Sequence, residues 1–146
     1  MKKISIVLAD DDEDDRLFFK EAIEQLNLNS DLNLVENGNE LMKYLEDLNS
    51  PLPDLVFLDL NMPRKGGLEC LREIRSSKKL KGLTVAIYST SSSEEDIEEC
   101  FVRGANIYIN KPNNFESIKS VLLKVISTNY QYNTSSLNKD NFVMVV

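Results

Sequence analysis

Five short apolar runs, each followed by a stretch with helical spacing, leave this chain few ways to fold. The runs are residues 4–9 (ISIVLA), 32–36 (LNLVE), 55–58 (LVFL), 83–88 (LTVAIY) and 106–110 (NIYIN). After the first, Phe19, Ala22, Ile23 and Leu26 mark one face of a helix over 13–27. Leu41, Leu45 and Leu48 do the same for 39–48, and Leu68, Leu71 and Ile74 for 67–77. Ile97, Cys100 and Phe101 line a helix reaching about residue 103, and Phe115, Ile118, Leu122, Val125 and Ile126 one over 114–129. Asn37-Gly38 and Ser50-Pro51-Leu52-Pro53 break the pattern. Asn39 is the expected cap of the second helix, and Ser92 with Glu95 forms a capping box for the fourth.

Strands that are apolar throughout need cover on both faces. The expected architecture is therefore α/β: a doubly wound sheet of five parallel strands with five helices. One domain is expected over residues 1–129, with a tail over 130–146. The tail is polar and turn-prone to residue 141, a composition that predicts disorder. It ends in Phe142-Val143-Met144-Val145-Val146, an apolar, β-prone segment that is hazardous in water. Those residues are expected to be covered by the domain itself or paired across a partner, a homodimer being the economical one.

Composition removes whole classes of function. The chain has no histidine, so a Ser-His-Asp or Cys-His catalytic arrangement and any imidazole zinc site are excluded. With 17 Lys plus Arg against 24 Asp plus Glu, the net charge of -7 argues against nucleic acid or an anionic membrane as partner. Cys70 and Cys100 are too far apart for a thiolate metal site and read as small apolar residues of a reducing compartment. The first apolar run stops at six acids, too short to target or span a membrane, so a cytoplasmic location is expected.

In a parallel sheet the carboxyl ends of all strands share one edge, and ligands bind there. Asp10 and Asp11 end the first run, Asp59 the third and Ser89 the fourth, while the fifth reaches Lys111. Converging carboxylates repel unless a cation sits among them. Oxygen-only ligands in a shallow site select a hard ion, Mg²⁺ rather than Ca²⁺. A metal, a lysine and a hydroxyl around one carboxylate make a phosphoryl-transfer site, and Asp59 between the other strands is the natural nucleophile.

Together IVLADDD, LVFLDLNMPRKGG, AIYSTSS and IYINKP, spread over about residues 3–127, resemble the receiver domain of two-component response regulators. The resemblance implies a flavodoxin-like strand order 2-1-3-4-5. It implies Asp59 as phosphoacceptor for a sensor histidine kinase and Mg²⁺ on Asp11 and Asp59, with Asp10 acting through water and the backbone carbonyl of Asn61 completing the site. It further implies Ser89 as switch hydroxyl, Tyr108 as rotating aromatic, Lys111 as phosphate-binding lysine and a cis peptide at Lys111-Pro112. The output is then a change in the surface of the fourth helix, fifth strand and fifth helix, read by a downstream protein. DEDDR and NMPRKGG look like the stand-alone, CheY-like subclass that serves phytochrome-type kinases.

Three other readings are weaker. An EF-hand loop would use Asp10, Asp12, Asp14 and Glu21, but Asp15 stands where glycine is required. A small aspartyl-nucleophile phosphohydrolase would use Asp10-x-Asp12, but Asp14 follows where Thr or Val is needed, and the chain leaves no room for a cap. A flavodoxin-like binding module would need a phosphate-cradling loop where this chain places six acids. Asp12 to Asp15 are themselves expected to be a solvated, negative first turn of helix.

Overall fold

The computed structural model describes residues 3–127 and 142–144. Strands and helices alternate as β1 (Ile4–Ala9), α1 (Glu13–Gln25), β2 (Ser30–Val35), α2 (Gly38–Glu46), β3 (Leu55–Leu58) and α3 (Gly67–Ser76). They continue as β4 (Thr84–Ser89), α4 (Glu94–Val102), β5 (Ile107–Asn110), α5 (Phe115–Ser127) and β6 (Val143–Met144). Every strand pairing is parallel, and the order is β2-β1-β3-β4-β5-β6. The five strands take the order 2-1-3-4-5 that the resemblance implied. The two residues of β6 extend the sheet beyond β5, so that Phe142, Val143 and Met144 of the apolar segment lie on the domain's own edge, while Val145 and Val146 lie outside the described residues. The polar segment 130–141, for which disorder is expected, lies outside the described residues.

Strand alternation splits the core into two layers. Ile6, Leu8, Phe57, Ala86, Tyr88, Ile107 and Ile109 face α1 and α5, where Phe19, Phe57 and Tyr88 meet edge to face. Val7, Ala9, Val56, Leu58, Val85, Ile87 and Tyr108 face the opposite layer with α2, α3 and α4. Cys70 and Cys100 are buried and free, their thiols pushed up to about 12 by burial.

Two helix starts differ from expectation. The cap of α2 is Asn37, whose side chain accepts from Glu40 N, while the Glu40 carboxylate accepts from Glu36 N. Asn39 lies inside the helix. The cap of α4 is Ser93, accepting from Asp96 N, one residue beyond the expected Ser92. Ser91 takes the Asp96 carboxylate at 2.6 Å, which ties the loop to the helix one residue later than the Ser92–Glu95 spacing suggested.

The turn from β3 into α3 is pressed against the sheet. A Cβ on Gly67 would collide with the Asp59 carbonyl and the Leu60 Cα. Gly67 N also donates to Leu60 O at 2.9 Å. Gly67→Ala is therefore expected to lower stability by about 1–3 kcal/mol in urea unfolding, as an overpacked site does.

Candidate functional site

Strand register does the gathering. Ala9 opposes Leu58, so Asp10 and Asp59 follow side by side; Asp59 N donates to Ala9 O at 3.0 Å and Asp10 N to Val35 O at 3.1 Å. Ser89 opposes Asn110, and Lys111 N donates to Ser89 O at 2.8 Å. The ends of β1, β3, β4 and β5 thus meet at one edge. Asp10 and Ser89 are fully buried, Asp59 is 6% exposed, and Asp11 lies open to solvent.

Lys111 stands at the centre. Its ammonium lies 2.8 Å from Asp10 Oδ2, 2.8 Å from Asp15 Oδ2 and 3.4 Å from Asp59 Oδ2. It also sits 5.5 Å from the ring centre of Tyr88. Burial alone would lower its pKa, but the ion pairs with Asp10 and Asp15 and the nearby charge of Asp59 hold it above the ordinary lysine range. Asp59 moves the other way. Burial pushes its carboxyl up to about 6, Asp10 adds to the rise, and Lys111 opposes it. The Asn61 backbone N–H also bonds to this carboxylate and favours its charge.

The acids after β1 divide their work. Asp12 caps α1, accepting from Asp15 N at 2.9 Å, and its own N–H donates to Asp10 Oδ1 at 3.0 Å. Glu13 and Asp14 are exposed in the first turn, as expected. Asp15, expected in solvent with them, instead turns into the site and holds Lys111. Arg16 was also missed; it donates to the Asp10 carbonyl at 2.8 Å and fixes the strand end.

Ser89 Oγ accepts from Ser91 N at 3.1 Å. Tyr108 is wholly buried, with its hydroxyl donating to Ser91 O at 2.7 Å. The Lys111-Pro112 bond is trans, since no cis peptide occurs among the described residues; this corrects the cis geometry that the resemblance implied. Trans is the lower-energy form of an X-Pro bond by about 0.5–1 kcal/mol, and Lys111 reaches its three carboxylates in that form.

Asp10, Asp11 and Asp59 offer carboxylate oxygens that all lie within 4.8 Å of one another, as a divalent metal requires. Asp10 Oδ2 supplies the test of fit. It is buried and close to Lys111, yet no donor is aligned on it, so a lone pair faces the cluster unfilled. One ammonium among so many carboxylates leaves room for a hard cation.

The cost of this crowding is measurable. With its pKa raised from 3.8 to about 6, Asp59 is charged at a penalty in the folded state above about pH 6, and that penalty fades as pH falls toward 3.8. In metal-free buffer, Asp59→Asn is expected to stabilise the fold by about 1–3 kcal/mol at neutral pH. The gain should shrink by about half near pH 5, as read by urea unfolding at both pH values.

Comparison with known proteins gives this edge a context. Residues 6–123 match the model of the response regulator receiver domain. The response regulator Rcp1 of Synechocystis is 31% identical over 117 residues, 77% of this chain and 80% of that protein. The phosphorylated cyanobacterial phytochrome response regulator RcpA superposes with a TM-score of 0.82 at 31% identity, covering 94% of this chain and 98% of the other. The Mn²⁺-bound form of Rcp1 does so with a TM-score of 0.77 at 28% identity, covering 92% and 99%. With the acidic edge, the parallel sheet and the strand order in agreement, this chain belongs to the response regulator receiver domain family.

Proposed function

We propose that this response regulator takes a phosphoryl group onto Asp59 from a histidine of a separate sensor kinase. The supporting observation is the Asp59 carboxylate itself, buried at the sheet edge beside Asp10 and 3.4 Å from the Lys111 ammonium. An Asp59 oxygen attacks phosphorus, the phosphorus–nitrogen bond to the donor histidine breaks, and its electron pair leaves with the imidazole. This chain has no histidine, so the donor comes from elsewhere. Lys111 then exchanges Asp59 for a phosphoryl oxygen and offsets the new charge. Asp10, Asp11, Asp59 and the Asn61 carbonyl would hold Mg²⁺, which would supply charge neutralisation for the transfer. That the similar response regulator Rcp1 has a Mn²⁺-bound form supports a divalent metal in this chain.

Ser89 donates its hydroxyl proton to the phosphoryl group, and the loop that follows carries the change to Tyr108 and the α4–β5–α5 face, a reading supported by the bonds from Ser91 N to Ser89 and from Tyr108 to Ser91 O. A downstream protein reads that face. The likeness to the phytochrome response regulator RcpA supports a kinase of phytochrome type. Two buried free thiols fit a cytoplasmic setting, and among the described residues no helix is long and apolar enough to cross a membrane. Asp12 is committed to capping α1, which removes the second acid that a phosphohydrolase would use and favours an acceptor that turns over only its own phosphate.

Acetyl phosphate with Mg²⁺ is expected to label wild type on Asp59, read by mass spectrometry. Asp11→Asn should lose the labelling while keeping its fold by circular dichroism. Undiminished labelling of Asp11→Asn would remove the metal assignment. Asp15 competes with the phosphoryl group for Lys111 and adds a negative charge beside it. Asp15→Asn is therefore expected to bind fluoroberyllate with Mg²⁺ about 3–10-fold more tightly in a calorimetric titration.

A further inference from the structure

Phe142 lies beyond α5 at the far end of the chain, yet it is fully buried. Its ring meets Phe101 of α4 edge to face at 5.3 Å and tilts over Tyr108 of β5 at 6.2 Å. Val143 and Met144 pair in parallel register with Tyr108 and Ile109. Beneath Phe142, the Tyr108 hydroxyl donates to Ser91 O at 2.7 Å, and the same carbonyl accepts from Asn110 Nδ2 at 3.0 Å. Ser91 N donates in turn to Ser89 Oγ at 3.1 Å. An unbroken line of contacts runs from the edge that holds Asp59 to the end of the chain.

We propose that docking of Phe142–Met144 onto β5 and loading of Asp59 with a phosphoryl group stabilise each other through Ser89, Ser91 and Tyr108. The proposal rests on the reading of Asp59 as phosphoacceptor. Its sign follows from the hydroxyl of Ser89, which has one proton to give and two lone pairs to receive. Ser89 can give the proton to a phosphoryl oxygen while still accepting from Ser91 N. That pins the turn after β4, and with it the carbonyl that receives Tyr108. A fixed Tyr108 is the floor on which Phe142 packs. In the other direction, removing the Phe142 ring opens space above Tyr108 and lets the hydroxyl leave Ser91, which loosens the turn that Ser89 must hold. Linkage of this kind is reciprocal in binding free energy. A downstream partner arriving at the α4–β5 face therefore meets the tail as part of that surface, most firmly when Asp59 is loaded.

The test uses the full chain, with fluoroberyllate and Mg²⁺ as the probe. Phe142→Ala is expected to weaken fluoroberyllate binding by about 5-fold or more, and Phe142→Leu, which keeps an apolar side chain there, to recover most of the loss. In wild type, fluoroberyllate should slow hydrogen exchange at the Val143 and Met144 amides, a measurement that needs no variant. Equal affinity of wild type and Phe142→Ala, or unchanged or faster exchange in β6, overturns the linkage while binding still depends on Asp59. If Asp59→Asn binds the probe as tightly as wild type, the phosphoacceptor reading falls and the linkage with it. An effect of Phe142→Ala that grows with protein concentration places the strand in a second copy and overturns linkage within one chain.

Discussion

One ammonium group is shared among three carboxylates, two of which strand pairing forces together. Asp10 and Asp59 cannot separate, because the β1–β3 ladder runs directly into them. Asp15 is held by the cap of its helix, and Lys111 by its backbone bond to Ser89. The charges are therefore fixed by secondary structure rather than by side-chain choice, and the lysine is the flexible element that reconciles them. Its ammonium lies over Tyr88, whose own hydroxyl is kept protonated by burial, so an aromatic face rather than another charge forms the floor.

Strain of this kind suits a switch. A site that is under-neutralised at rest gains by taking a cation, and a lysine shared among three acids can be drawn to a new anion without leaving the pocket. The rest of the fold is arranged to bear the cost. The two apolar layers on either side of the sheet hold few polar groups; among the described residues the buried polar or charged ones are Asp10, Asp59, Thr84 and Ser89. Apart from Thr84 they all stand at the carboxyl edge. Polarity is concentrated at the one edge where chemistry takes place.

Much of this was legible in the sequence because β-strands and parallel pairing follow simple rules. Unbroken apolar runs ask for cover on both faces, and the residue after each run must lie at the ligand edge. Asp10, Asp11, Asp59, Ser89 and Lys111 could be named on that ground alone. Asp15 could not, since its role depends on whether a long lysine from β5 reaches across to α1, a contact 96 residues apart in sequence. The caps at Asn37 and Ser93 were misplaced by one or two residues because several neighbouring side chains can cap, and tertiary contacts choose among them. Phe142 returns from far along the chain to pack against the buried Tyr108, which no local pattern encodes.

The two edges of the sheet are guarded differently. At one side β2 alternates exposed and half-buried residues, and Asp31 pairs with Lys3 at 3.4 Å. Such a charged, broken edge offers little to a neighbouring chain. At the other side Ile107, Tyr108 and Ile109 are all buried, and the N–H and C=O groups beyond them are met by Val143 and Met144. A chain ending after α5 would present that greasy run as a bare template for strand addition. Colloidal behaviour would then change whatever the fate of signalling: the shortened protein would self-associate more readily as its concentration rises, by the route through which exposed strand edges seed aggregates. Val143 and Met144 thus occupy the part of the β5 edge that such an addition would use.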